Sequence, residues 1–463
     1  MEKFDVTVIG GGPGGYPAAI RAAQIGASVA LVEKGPLGGT CLNWGCIPTK
    51  ALIASSTAYF AALNGAFLGL SVQEASVDYG KAVDHKDKSV SKLGGGVAAL
   101  LKANGVKVIK GGASFSAHGR IDVDCKPAID SRKTIIATGS EPVKPGFVPD
   151  HSKVVDSRGF LDLRKLPKSL IVLGGGVIGC EFACMAAQFG VKVTVVEMLD
   201  DILSVFDGDI VSVLRRNMEK ELNIRLLTGK PLENIKADSG GVRGMFGEER
   251  VEADMMLSAI GRRPYTDGLN LGSAGLETDE KGQIPIDRHC RTSSPGIYAV
   301  GDVTAGSTQL AHDATAQGIV AAENACGCKT GEKEQVVPSC IFTSPEIGSV
   351  GLSETQAAQG GREIVTGKFM FSGLGKAIVT GETEGFVKWV CDAETGQALG
   401  GHAVGAHATE LVAEAAMAVR TEQTFREVGR VIHSHPTFSE AWMEAAHAVE
   451  SESIHQPPRR KKI

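Results

Sequence analysis

The chain has 463 residues, 43% of them hydrophobic, and a formal net charge of −5, which suits three or four domains with separate cores. The small negative charge argues against nucleic acid as a partner, and no apolar stretch approaches the length of a membrane span. Its 59 glycines against 5% aromatic residues fit a backbone that must approach nucleotides closely.

Residues 4–9 read as a buried strand that starts within a few residues of Met1, leaving no room for a secretion signal. Gly10-Gly11-Gly12-Pro13-Gly14-Gly15 and an alanine-rich helix pattern follow, then a second strand over 27–32 that ends in Glu33. Pro17 removes an N–H near the start of that helix, where donors lack intrahelical partners anyway.

Cys41 and Cys46 come next, in Gly38-Gly39-Thr40-Cys41-Leu42-Asn43-Trp44-Gly45-Cys46-Ile47-Pro48-Thr49-Lys50. In a regular helix, positions i and i+5 lie roughly 8 Å apart on different faces, too far for a disulfide. Gly45 and the turn-tolerant Asn43 would let the backbone bend enough to close one. A disulfide around so short a loop gains little from loop closure, which suits a redox catalyst better than a staple. Zinc binding is the competing reading, but it favours closer pairs with a matching second pair. The other eight cysteines are scattered, several in apolar contexts such as Cys180 and Cys184, and read as buried free thiols in a reducing, cytoplasmic setting. Cys326 and Cys328 lack nearby partners for a metal, so no metal site is expected.

The opening design then returns. Residues 170–173 lead into Gly174-Gly175-Gly176-Val177-Ile178-Gly179, a helix pattern, and a strand over 193–196 that ends in Glu197. Gly10, Gly12, Gly15, Gly26 and Glu33 correspond to Gly174, Gly176, Gly179, Gly190 and Glu197. One bare glycine motif could be an ordinary βαβ turn. Two matched copies, each with strand, turn, helix, second strand and terminal acid, read as dinucleotide sites. The first glycine makes the turn and the second admits a pyrophosphate at the helix N-terminus. The third packs helix on strand, and the acid accepts from ribose hydroxyls.

Two such sites beside a dithiol point to an electron relay, with FAD in one and NAD or NADP in the other. Glu197 would repel a 2′-phosphate, and Met198-Leu199-Asp200-Asp201 supplies no cation to hold one, so NAD is expected.

With these residues in hand, the chain resembles the pyridine nucleotide-disulfide oxidoreductases, closest to those members that oxidise dihydrolipoyl groups. The resemblance runs from Asp5 to about Val449 and includes the motifs at 134–140, 259–264, 296–302, 310–312 and 433–440. It implies an α/β protein: two doubly wound dinucleotide-binding domains plus a C-terminal α+β dimerisation domain. The implied FAD domain spans 1–145 and the NAD domain 146–268. A central segment, 269–338, completes the FAD site, and 339–463 forms the homodimer interface. Gly10, Gly12, Gly15, Glu33, Lys50, Ala113, Thr138, Gly139, Ser140, Asp302, Leu310, Ala311 and His312 would line the FAD. Gly174, Gly176, Gly179, Glu181, Glu197 and Gly261 would line the NAD.

Disulfide exchange runs through thiolates, so the substrate dithiol needs a base. A histidine before proline is commonly structural. His435, followed by Glu440 to fix its tautomer, nonetheless fits the role. His433 reads as packing or surface. The resemblance implies that His435 of one subunit serves Cys41 and Cys46 of the other, with Cys41 attacked by substrate and Cys46 against the flavin. Lys50, paired with Glu181, would stabilise negative charge there. The implied partners are dihydrolipoyl domains of 2-oxoacid dehydrogenase or glycine cleavage complexes. The alternative activity is an NAD(P)H-dependent reductase of another low-molecular-weight disulfide.

Three positions depart from the family pattern: Trp44 stands where a small apolar residue is usual, and Asp313 and Gln317 where Lys and Glu are common. The basic run Arg459-Arg460-Lys461-Lys462 reads as a solvated tail, or as a contact for acidic lipoyl domains.

Overall fold

Strand β1 (Glu2–Ile9) buries Val6, Val8 and Ile9 on both faces, and β2 (Val29–Glu33) buries Val29, Leu31 and Val32 beside it. Such doubly buried apolar runs are those of a parallel sheet covered by helices. The computed structural model describes residues 1–72, 75–117, 120–328 and 332–457. The first sheet is seven-stranded: Lys107–Lys110, β2, β1, Lys126–Ile136, Arg120–Val123 and Ala113–Ala117 in order, with Ile297–Ala299 pairing the long strand. That long strand runs parallel to β1 and to Ile297–Ala299 but antiparallel to Arg120–Val123. Helix α1 (Gly15–Gln24) packs on the sheet, and Pro17 lies within its first turn, where an N–H is dispensable.

The second sheet is parallel throughout, in the order Arg225–Leu227, Lys192–Val196, Ser169–Leu173, Met255–Ser258 and Val154–Val155. A three-stranded antiparallel sheet over Leu232–Asp238, Gly241–Phe246 and Glu249–Ala253 adjoins it. Where the chain crosses between the two units, Ser140–Pro142 pairs with Arg262–Pro264. The crossing back delivers Ile297–Ala299 to the first sheet.

The C-terminal part is a five-stranded antiparallel sheet: Ser339–Ile341, Ile347–Gly351, Ala398–Gly405, Gly385–Asp392 and Ile364–Met370. Helices Ala408–Arg420 and Glu440–Val449 pack on it. Trp389 and Trp442 lie with ring centroids 4.6 Å apart in this core. Each indole N–H donates to a backbone carbonyl at 3.0 Å, as buried tryptophan requires.

One expectation is corrected. The helical run Gly39–Leu68 is long and apolar enough to cross a membrane by length and composition alone. It breaks at Gly45, its Lys50 is ion-paired to Glu181 of the second unit, and Pro48, Thr49, Leu52 and Ser56 are buried against the rest of the chain. A second correction concerns the free thiols: all eight remaining cysteines are unpaired, but only Cys180, Cys184, Cys290 and Cys391 are buried, while Cys326, Cys328 and Cys340 are partly buried and Cys125 is exposed. The tail Arg459–Lys462 lies outside the described residues.

The second unit is locked to the C-terminal sheet by Lys388, a lysine only 1% exposed in the strand Gly385–Asp392. Its ammonium meets Asp207 at 2.5 Å, Glu354 at 2.7 Å and Asp209 at 3.1 Å. Burial opposes the charge, but the Asp207 and Glu354 carboxylates outweigh it and hold the lysine pKa above its usual value. Lys388→Met leaves the 4%-exposed Asp207 carboxylate uncompensated, and is expected to cost roughly 3–5 kcal/mol. Urea denaturation should show the earlier transition, and Lys388→Met with Asp207→Asn should recover part of the loss.

Candidate active site

The two glycine turns share one geometry. Gly10 has φ +103°, and a Cβ on it would meet the Ala137 carbonyl oxygen at 2.3 Å. Gly174 has φ +108°, with Ala259 O at 2.6 Å. At the third glycines, a Cβ on Gly15 or Gly179 would sit 1.8 or 1.9 Å from the first glycine's carbonyl oxygen. These four are glycine because the protein itself fills the space. The middle glycines differ: around Gly176 nothing lies within 4 Å, and Gly12 meets only the Gly39 Cα at 3.7 Å. Gly176 has φ −76° and ψ −174°, which any residue adopts. Its missing side chain leaves room at a helix N-terminus, the fit expected for a pyrophosphate.

The terminal acids repeat as well. Glu33 accepts from Gly11 N and Gly35 N, both at 2.6 Å. Glu197 accepts from Gly175 N at 2.7 Å and Leu199 N at 2.8 Å. Each oxygen keeps a lone pair for a ribose hydroxyl. Arg215, on the helix that follows this loop, is paired with Asp201 at 2.6 Å.

Between the two turns lies the cystine. Helix α2 (Gly39–Trp44) carries Cys41, helix α3 (Cys46–Asn64) begins at Cys46, and the two are disulfide-bonded with Cα atoms 4.6 Å apart. The break falls at Gly45, φ −137° and ψ −111°, where a Cβ would also press on Thr40 O at 3.0 Å. Asn43 does not share the bend. It stays helical, and its amide donates to Leu37 O at 3.0 Å and Gly39 O at 2.9 Å, bracing the start of α2.

One turn into α3, Lys50 Nζ lies 2.9 Å from both carboxylate oxygens of Glu181 and 4.6 Å from the Phe342 ring centroid. Glu181 is 4% exposed and also accepts from Phe342 N at 2.9 Å.

Asp302 stands just after Ile297–Ala299, near the first glycine turn. Arg262 donates to Ser140 Oγ at 2.8 Å and to Ser140 O at 2.6 Å. Since Arg262 can only donate, the Ser140 hydroxyl proton goes to Asp302 Oδ2, 2.5 Å away. Burial lowers the Arg262 pKa from its usual value, an effect opposed by the Asp302 charge. Thr138 Oγ1 donates to Tyr265 O at 2.6 Å, and Gly139, φ +71°, accepts from Tyr265 N. Ala113 opens the strand Ala113–Ala117, two residues past Gly111, whose N–H bonds Glu33 O. Gly261 has φ +121° with nothing within 4 Å of a Cβ.

Leu310 is the N-cap of helix Ala311–Ala325, which packs on α1 and donates from Thr315 Oγ1 to Pro13 O at 3.0 Å. His312 Nε2 bonds Pro338 O at 2.7 Å. The two departures on this helix are used locally: buried Asp313 accepts from Thr308, and Gln317 accepts from Gly301 N at 2.9 Å.

On the C-terminal domain, His435 Nδ1 lies 2.9 Å from Glu440 Oε1, while Glu440 Oε2 accepts from Thr437 N at 2.8 Å. The His435 side chain is 74% exposed. The His433 side chain is 5% exposed and bonded to Glu414 at 2.7 Å, a contact that raises its pKa. Among the described residues no group of His, Cys, Asp or Glu converges as a metal site.

Arg262 and Phe342 are site residues that motif reading passed over. Arg262 lay inside the quoted 259–264 motif, and only its reach to Ser140 gives it a role. Arg262→Met frees the Ser140 proton and removes a charged donor, so FAD should dissociate about ten- to a hundredfold more readily. Fluorescence of released flavin at increasing dilution checks this.

The chain matches the family described as pyridine nucleotide-disulphide oxidoreductase over residues 4–318, and that family's dimerisation domain over 337–446. It is 42% identical to a dihydrolipoyl dehydrogenase of Halobacterium salinarum, covering 97% of each chain. It is 38% identical to one of Geobacillus stearothermophilus, covering 98% of this chain and 97% of that one. Among solved structures it is similar to LpdA from Mycobacterium tuberculosis, with TM-score 0.90, 29% identity and coverage of 96% and 99%. It is also similar to the HOCl-induced flavoprotein disulfide reductase RclA from Escherichia coli, with TM-score 0.86, 28% identity and the same coverage. The chain belongs to the pyridine nucleotide-disulphide oxidoreductases, enzymes with FAD and NAD(H) as cofactors, and its two glycine turns leave the room those cofactors need.

Proposed function

We propose that this enzyme oxidises protein-bound dihydrolipoyl groups and delivers the electrons to NAD⁺, acting as a homodimer within 2-oxoacid dehydrogenase or glycine cleavage complexes. The carrying observation is the Cys41–Cys46 cystine, set between two glycine turns and followed by Lys50 bound to Glu181. Relatives named dihydrolipoyl dehydrogenase and the match to a dimerisation domain support the reading. A cytoplasmic setting suits the eight free cysteines. The domain division proposed is 1–145 for FAD, 146–268 for NAD, 269–338 completing the FAD site and 339–463 for the interface.

The partner subunit's His435, its Nδ1 held by Glu440, takes a proton from one substrate thiol. The resulting thiolate attacks Cys41 Sγ, the S–S bond breaks, and Cys46 Sγ leaves as a thiolate. The second substrate thiol displaces Cys41, closing the lipoyl disulfide. Two electrons now reside on the enzyme's thiols. FAD bound at the first glycine turn would supply the acceptor for that pair and the route to NAD⁺. Glu33 and Glu197 would orient the riboses, and Ser140 and Arg262 would hold Asp302 ready to accept flavin hydroxyls. Lys50, held in place by Glu181, would steady the Cys46 thiolate.

The test is NADH formation from NAD⁺ and dihydrolipoamide, with an NADP⁺ control. Rapid turnover with NAD⁺ alone is expected. Silence with lipoamide, while NADH still reduces the cystine, would overturn the substrate and point to another disulfide. Equal use of NADP⁺ would overturn the role given to Glu197.

His435→Gln is expected to slow turnover roughly 10²–10⁴-fold while leaving flavin reduction by NADH intact. Cys46→Ser should abolish both dithiol oxidation and thiolate–flavin charge-transfer absorbance; a variant that keeps them sinks the assignment.

A further inference from the structure

Trp44 ends α2, immediately before the Gly45 break on which the cystine's closure depends. Its ring is held from two sides. A Cβ on Gly35 would sit 3.6 Å from the indole, so the ring lies against the loop that begins at Glu33. The guanidinium carbon of Arg158 lies 4.1 Å from the ring centroid. Arg158 belongs to helix Ser157–Leu161, whose N-cap Asp156 accepts from Gly159 N at 2.8 Å and whose Phe160 and Leu161 are buried. That helix is a fixed anchor rather than a loose loop. Among the described residues no carboxylate is ion-paired with Arg158, which leaves the ring as its partner. An arginine resting on an exposed tryptophan by chance would carry no consequence; here the tryptophan adjoins the hinge of a redox bond.

We propose that Trp44 and Arg158 form a clamp that favours the Cys41–Cys46 disulfide over the dithiol. Trp44 and Arg158 are thus positioning residues for a bond they do not touch, and the inference rests on the redox role given to that bond. Reduction adds two electrons and two protons, breaks the S–S bond and makes two thiols; NADH supplies the electrons through the flavin. Once unbonded, the sulfurs must separate to van der Waals contact. Cys46 cannot easily yield, because α3 is fixed by buried Pro48, Thr49 and Leu52 and by the Lys50–Glu181 pair. The movement therefore falls on Cys41 and the end of α2, pivoting at Gly45. Trp44 is the residue such a pivot displaces, and its stacking on Arg158 resists the displacement. The dithiol is penalised relative to the disulfide, which lowers the couple's potential.

The test uses the holoenzyme and its Arg158→Ala, Arg158→Lys, Trp44→Val and Trp44→Phe variants. Each is equilibrated across mixtures of dithiothreitol and its oxidised form, quenched in acid and alkylated to count new thiols. Arg158→Ala and Trp44→Val should shift the equilibrium about three- to tenfold toward the dithiol, a rise of about 14 to 30 mV. Arg158→Lys and Trp44→Phe keep a cation over a ring and should stay near the parent value. An unchanged midpoint in Arg158→Ala, an exposed change that leaves the fold intact, overturns the clamp alone. A parent protein that never yields two new thiols overturns the redox role of the cystine, and the clamp with it.

Discussion

The Glu181 carboxylate is the constraint on which the active site depends. It projects from an otherwise apolar helix, Val177–Gln188, and is 4% exposed. A carboxylate so placed is tolerable only with a counter-charge and full hydrogen bonding. Lys50 supplies two contacts from the first unit, and Phe342 N supplies a third from the C-terminal sheet's edge. One buried charge thereby joins three parts of the chain. Its position fixes the start of α3, hence Cys46, against the second dinucleotide unit. Removing Lys50 would do more than delete a cation near the thiols, because the carboxylate it leaves behind has no water to return to.

The two glycine turns are copies, but their surroundings are not. The first is covered: Gly39 of α2 closes on Gly12, helix Ala311–Ala325 reaches Pro13 through Thr315, and Asp302 arrives on the returning strand. At the second, a Cβ added to the middle glycine would meet nothing within 4 Å. Equal local geometry thus comes with unequal enclosure. Part of this asymmetry comes from the later segment around 297–325, far along the chain from either motif.

Distance along the chain also decides what the sequence made legible. The glycine roles, the acids and the break at Gly45 could be read because each depends on a few neighbouring residues and their steric limits. The strand Gly385–Asp392 and the helices Ala408–Arg420 and Glu440–Val449 likewise rest on local patterning of apolar residues. Arg262 and Ser140 meet across 122 residues of chain, and Glu181 and Phe342 across 161. No periodicity reports such meetings. Lys388 shows the same limit differently: the strand was plain, but a lysine in it reads as solvent-facing until Asp207 and Glu354 are seen beside it. Asn43 was assigned to the bend because its type favours turns, whereas tertiary bonding to Leu37 and Gly39 keeps it helical.

Ten cysteines in a thiol-exchanging enzyme pose a selectivity problem that burial answers. Desolvation pushes the Cys184, Cys290 and Cys391 thiols up to about 12 and Cys340 to about 11, and it raises Cys180 well above the ordinary value. At neutral pH a thiol with pKa near 12 is ionised in about one molecule in 10⁵, and exchange proceeds through the thiolate. These sulfurs therefore cannot compete with the substrate thiolate for the Cys41–Cys46 disulfide even where they lie near the site, as Cys180 and Cys184 do on the helix that bears Glu181. Cys41 and Cys46 differ in placement: they sit at a helix break, partly exposed, with Lys50 one turn beyond Cys46. The same apolar packing that stabilises the second unit keeps its two thiols, Cys180 and Cys184, silent beside the site.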